Sequence, residues 1–168
     1  ERVRADESVK AVILTGAGSA FSAGGNVKDM RDKKGIASGN PYSISQGYLA
    51  GIQRIPLALH GLEVPTIAAV NGAAVGAGCD LACMCDIRIA AEHAVFGLPE
   101  AKRGMGAQFG TIMLPRLVPM GIALEMLYTG EYIDAQQART YGLVNRVVPR
   151  GQALAAALEL ADKILENA

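Results

Sequence analysis

At 168 residues, 51% hydrophobic and 19% charged, the chain has the size and composition of one globular domain with a real core, which excludes a disordered chain. Sixteen basic and sixteen acidic residues cancel, and no basic stripe with interleaved aromatics is present, so nothing points to nucleic acid. Aromatic content is 5% with no tryptophan, while twenty glycines point to a tightly turned backbone rather than a helical bundle.

The chain opens on ERVRADESVK with no initiator methionine, as if partway through a longer protein, so a fragment is expected. Val9, Ala11, Val12, Ile13 and Leu14 form an apolar strand that ends at Thr15-Gly16. The segment GAGSAFSAGGN, 16–26, follows. Gly16 and Gly18 after a strand invite a dinucleotide reading, but Phe21 takes the third glycine position, no helix opens behind Gly18, and no acidic residue closes a second strand. The alternative uses Ala23, Gly24 and Gly25, small residues at a strand-to-loop corner whose backbone N–H groups are exposed to a ligand.

The segment KDMRDKK, 28–34, reads as a charged surface loop, and Lys28, Arg31, Lys33 or Lys34 would suit phosphates of an anionic ligand. Ile44, Leu49, Ile52, Ile55 and Leu59 have helical spacing, which predicts one amphipathic helix over 44–60 that Pro56 kinks or stops. Ile67, Ala68, Ala69 and Val70 form a buried strand between Pro65 and the turn pair Asn71-Gly72. A corner carrying Gly72, Gly76 and Gly78 then leads into a small-residue helix over 79–85. Further strands are predicted at 87–90 and 94–97, and helices at 107–116 and 121–128. Asp134 with Gln137 three residues later predicts a capped helix over 135–141, followed by a strand at 143–148. A last amphipathic helix at 153–165 carries an apolar face that wants a partner. There is no internal sequence repeat and no clear domain boundary.

The three cysteines, Cys79, Cys83 and Cys85, fall within one proposed helix, and an odd, clustered set is not a disulfide framework. Neither His60 nor His93 has ligand spacing to them, so small buried hydrophobes are expected rather than a metal site. No signal peptide, apolar span or lipidation motif is visible, and a soluble reducing compartment, the cytoplasm, is the default. Ser19 and Ser22 lie in a glycine corner without a nucleophile elbow or a connected histidine, which argues against a triad hydrolase.

The chemistry concentrates in 65–100. Backbone N–H groups at the start of the 79–85 helix lack intrahelical partners and carry the positive end of its dipole, so they suit a carbonyl oxygen gaining negative charge. Asp80 lies in the first turn of that helix and Glu100 ends the following apolar run after Pro99. Burial and mutual repulsion raise a carboxyl pKa and separate a pair, so one holds a proton while the other accepts one.

The segments GSAFSAGGNVKDM, PTIAAVNGAAVGAGCDLACMCDIRIA, FGLPE and TGEYIDAQQARTYGLVNRVVP together resemble the enoyl-CoA hydratase/isomerase, or crotonase, family over about 9–149. The resemblance implies an α/β spiral of repeated ββα units, a single domain lacking the family's opening strands and closing helices, and a homotrimer or dimer of trimers. It implies an acyl-CoA substrate and no separate cofactor. Ala23 and Ala77 match the two enolate-binding N–H donors, with Ala77 standing where glycine is more usual; Gly24, Gly25 and Lys28 match the coenzyme-binding loop. Asp80 and Glu100 match the hydratase carboxylates, Asp80 one methylene short of the usual glutamate, and Asn26 replaces a common aspartate. On this footing Glu100 exchanges the α-carbon proton and Asp80 orients and activates the water. A double-bond isomerase using Glu100 alone stays open, as does a catalytically weak acyl-CoA-binding protein. A dienoyl isomerase ranks lower because Gln108 replaces the acid eight positions past Glu100, and an aryl-CoA dehalogenase is disfavoured by the lack of tryptophan.

Overall fold

The computed structural model describes residues 3–167. Its framework is a four-stranded parallel sheet in the order β1 (Val12–Thr15), β2 (Thr66–Val70), β4 (Ile87–Ala91), β7 (Arg146–Val148). A second, smaller sheet pairs β3 (Ala74–Val75) in parallel with β5 (Val95–Gly97) and β5 antiparallel with β6 (Ile133–Asp134). From β2 onward, the chain alternates between the sheets: β2 then β3, β4 then β5, β6 then β7. Each pass adds one strand to each layer, which is the expected spiral.

All five residues of β2 are buried, because a parallel sheet is covered on both faces. Ile67 and Ala69 point with Ile89 and Ala91 toward α8 (Ala153–Leu165), while Ala68, Val70 and Ala90 point into the main core. Helix α8 meets the sheet through Ala153, Ala157 and Ala161, one every turn. The predicted apolar face therefore has its partner, but it is the alanine stripe; Leu154 and Leu158 remain exposed.

Helix α4 (Ala77–Met84) is short and built of small residues because it lies close against its neighbours. Gly78, Cys79, Ala82 and Cys83 face inward, and a Cβ on Gly78 would come within 2.1 Å of the Ser22 carbonyl oxygen. The C-terminal end of α4 is held by Arg88, which is 4% exposed. Its guanidinium donates to the carbonyls of Ala82 and Cys85 and, at 2.6 Å, to that of Leu143, a cation placed at the negative end of a helix dipole. Burial lowers its pKa, and the carbonyls leave no donor stranded in a dry site. The three cysteines are buried free thiols, and burial pushes Cys85 up to about 12, so they behave as the small apolar side chains expected.

The outer layer departs from expectation. The charged segment is not a loop throughout: Asn26 caps a short helix α1 (Val27–Arg31), its side chain accepting from the N–H groups of Lys28 and Asp29. The predicted single helix over 44–60 is two helices, α2 (Pro41–Ala50) and α3 (Arg54–His60), broken at Gly51. Pro56 neither kinks nor stops the second. It stands in the first turn of α3, where its missing N–H has no intrahelical acceptor to lose.

The remaining helices are α5 (Gly110–Leu117), α6 (Met120–Thr129) and α7 (Ala135–Thr140). Asp134 and Gln137 form the expected capping box: the Gln137 N–H donates to Asp134 Oδ1 at 2.7 Å and the Asp134 N–H to Gln137 Oε1 at 3.0 Å.

Candidate active site

Two glycine corners, 16–25 after β1 and 71–78 after β2, interlock. Asn71 fastens the first, its Oδ1 accepting from the Gly16 N–H at 2.9 Å while its Nδ2 donates to the Gly18 carbonyl at 2.8 Å. The N–H groups of Phe21 and Ser22 donate to Ala73 O at 3.0 and 3.1 Å, and the Val75 N–H returns a bond to Ser22 O at 2.9 Å. These bonds end at Ser22. Ala23 therefore emerges beside Val75, Gly76 and Ala77 just where the two strands separate.

Contact is tightest at Gly24 and Gly76. Gly24 has φ +77°, and a Cβ there would lie 2.9 Å from both Ala77 N and Val75 O. Gly76 precedes α4 at φ 57° and ψ −129°, a conformation that only glycine adopts readily. Ala77 itself has a negative φ, and its methyl is exposed toward a cavity, so alanine meets no steric or backbone obstacle here. Among the described residues, the N–H groups of Ala23 and Ala77 make no hydrogen bond outside the helices and strands, and Ala77 is the first residue of its helix. Two adjacent corners thus present two unpaired donors.

These corners form one wall of a cavity of about 400 Å³. Ala23, Gly24, Gly25, Ala77, Asp80 and Glu100 all line it, so six of the seven sequence-selected residues are brought together. Lys28 is not. It lies exposed on α1 outside the cavity wall, beside Val27, which does line it.

Asp80 is 7% exposed on α4, and Glu100 belongs to the 3-10 turn Pro99–Arg103 that follows β5. Each carboxylate keeps one buried oxygen without a partner, Asp80 Oδ1 and Glu100 Oε2. Such atoms cost free energy in a structure that satisfies nearly all its buried polar groups, and they mark where a ligand or water would be bound. Burial, reinforced by the Glu100 charge, raises Asp80 to about 7, against a downward pull from the backbone amides of Phe109 and Gly110. At neutral pH the shorter carboxylate is poised to hold or release a proton.

The residues that sequence reasoning did not find are those of the outer wall and of the α5 entrance. Met30 on α1, Tyr48 on α2, Ile52 in the turn after α2 and Ile55 on α3 line the cavity, as do Met105 and Phe109. Their apolar character carries no signal distinguishing them from core residues. The Phe109 and Gly110 amides lie near enough to act on Asp80 because α5 begins at Gly110 rather than at 107, and a Cβ on Gly110 would lie 3.0 Å from Asp80 Oδ1.

A two-layer α/β spiral with paired carboxylates beside two unpaired amides defines a small-ligand site equipped for acid–base chemistry on a carbonyl compound. The family model described as Enoyl-CoA hydratase/isomerase matches residues 1–168, and the chain belongs to that family. It is 44% identical over 165 residues to the short-chain-enoyl-CoA hydratase of Clostridium acetobutylicum, covering 97% of this chain and 60% of that protein. It is 39% identical over 167 residues to the crotonyl-CoA hydratase of Syntrophomonas wolfei, covering 98% of this chain and 62% of that one. Among solved structures, an enoyl-CoA hydratase from Bacillus anthracis superposes with a TM-score of 0.85 at 38% identity, over 98% of this chain and 62% of its own. The crotonase fold expected from the motifs is therefore shown, and the chain spans about three-fifths of the length of the relatives it matches.

Proposed function

We propose that the protein of which this chain is a part hydrates enoyl-CoA thioesters. The observation that carries this reading is the convergence of Asp80 and Glu100, each with a buried unpartnered oxygen, on the cavity that Ala23 and Ala77, whose amides are unpaired, also line. The thioester oxygen lies between those two N–H groups, which stabilise the negative charge it gains as the enolate forms; each donor contributes about 3 kcal/mol in the transition state. A water spans the two carboxylates. Asp80 orients it and takes up its proton as oxygen adds to the β-carbon, and Glu100 delivers a proton to the α-carbon.

The C. acetobutylicum and S. wolfei relatives carry hydratase names, which supports the same chemistry here. A second reading, a double-bond isomerase, is favoured by one observation: residue 80 is an aspartate, whose shorter reach weakens its hold on a water while leaving Glu100 free to shuttle a proton. Loss of the conjugated enoyl absorbance on mixing full-length protein with short and medium enoyl-CoA substrates tests hydration, and no loss across that panel would reject it. With Asp80→Ala, a hydratase loses most of its activity, whereas a one-carboxylate isomerase keeps it. The outer surface of Lys28 and the exposed Leu154 and Leu158 are consistent with the expected coenzyme contact and subunit assembly, which belong to the same proposal. Among the described residues no helix is long and apolar enough to cross a membrane.

A further inference from the structure

The cavity that the two carboxylates line is also lined by Arg103, an exposed residue. Arg103 closes the 3-10 turn Pro99–Arg103, three residues after Glu100, and both line the cavity while Ala101 and Lys102 between them do not. Side chains at i and i+3 eclipse in a 3-10 helix, so Arg103 stands on the same edge as Glu100, displaced by about 6 Å along the axis at about 2.0 Å per residue.

Its neighbour Lys102 is engaged on the outside, its Nζ 2.7 Å from Glu131 Oε1. Arg103 is not engaged. Among the described residues no carboxylate lies within ion-pair distance of it, and it makes no hydrogen bond. Much of the cavity wall is aliphatic or thioether, Met30, Ile52, Leu81, Met84 and Met105 among it, and offers a cation no anionic partner. A neutral acyl chain gains nothing from a guanidinium there either.

We propose that Arg103 receives a carboxylate carried on the acyl chain itself, making enoyl thioesters with a second acid group a few carbons past the double bond the preferred substrates. This rests on the acyl-CoA reading above. The fork of N–H donors on arginine matches a carboxylate in two parallel hydrogen bonds. Phosphates of the coenzyme are the other anions on such a substrate, but the whole pantetheine arm separates them from the thioester. A cation one 3-10 turn from the carboxylate that protonates the α-carbon is within a few carbons' reach of the reacting end of the acyl chain.

Calorimetric titration of the full-length protein with hexanoyl-CoA and adipyl-CoA, unreactive ligands of equal chain length that differ in the terminal carboxylate, tests the assignment. The wild-type protein binds adipyl-CoA more tightly, and Arg103→Leu lowers the ratio of the two Kd values about tenfold or more. Arg103→Lys restores part of the ratio through charge without the fork. An unchanged ratio in Arg103→Leu, or a wild-type preference for hexanoyl-CoA, overturns the proposal. So does an equal loss for both ligands together with weaker binding of adenosine 3′,5′-bisphosphate, which assigns Arg103 to the nucleotide phosphates. Turnover of hex-2-enoyl-CoA and of its ω-carboxylated counterpart, the 2,3-unsaturated adipyl-CoA, by the same protein is scored separately, and turnover means loss of either. A retained ratio without turnover sinks hydration and leaves the carboxylate assignment standing, while binding of neither acyl-CoA sinks both.

Discussion

The inner and outer walls of the cavity are built by opposite rules. The inner wall comes from the corners after β1 and β2, from α4, and from the turn after β5; behind it Ala68, Val70, Ala74, Cys79, Ala82 and Phe96 are almost wholly buried. The outer wall comes from α1, α2 and α3, and among the described residues α1 and α2 bury no residue at all. On the proposed hydration, the groups that must be aligned with the reacting carbonyl are the ones fixed by close backbone contact. Groups that meet the remainder of the ligand lie on a layer with little packing energy of its own, where local opening costs least.

The sharpest break of this contrast comes from the inner wall. Glu100→Gln and Asp80→Asn are expected to reduce the hydration rate about a thousandfold, measured by enoyl absorbance, with thioester binding largely kept. Gly24→Ala comes next. It forces a methyl to 2.9 Å from Ala77 N at a φ of +77°, disturbing one donor corner without touching a carboxylate, and is expected to lower kcat about a hundredfold while circular dichroism stays native.

Stability should move the opposite way at Asp80. Its folded pKa, about 7, stands above the unfolded value of 3.8, so the folded state binds more protons than the unfolded state between those values. Wild-type stability therefore declines as pH rises from about 4 to about 7. Asp80→Asn removes that decline and gives a higher denaturant midpoint at pH 8 than wild type, a gain in stability at the expense of activity. The same titration predicts that hydration rises with pH through about 7 in the wild-type protein.

The smallest effect belongs to the outer wall. Ile52→Ala should cost about 1 kcal/mol of stability or less by chemical denaturation, and should change KM for longer acyl chains more than kcat. A collapse of kcat there would erase the distinction between the walls.

The same division explains what was legible in the sequence. Strand β2, the glycine corners and the Asp134 cap were readable because each residue type answers a local demand: apolar on both faces, tolerance of φ near +57° at Gly76, a side-chain acceptor before a helix. Residues 80 and 100 could be picked out because carboxylates amid apolar neighbours are costly without a use. The break between α2 and α3 was not readable. Ile44 to Leu59 keeps helical spacing across Gly51, yet Leu49 and Ile55 are exposed while Leu59 is buried, so the spacing does not mark one continuous buried face. The start of α5 at Gly110, which sets the Asp80 environment, depends on Gly110 fitting against Leu98, a contact between distant segments. Arg103 gives no signal either, since a basic residue beside Lys102 reads as ordinary surface until the turn brings it to the same cavity as Glu100.

The most direct test is a crystal structure of the full-length protein with an unreactive acyl-CoA thioester. The account predicts the thioester oxygen within hydrogen-bonding distance of both the Ala23 and Ala77 nitrogens, with the Asp80 and Glu100 carboxylates facing carbons two and three of the acyl chain. A thioester bound elsewhere, or one held by a single amide with the two acids turned away from it, would contradict it.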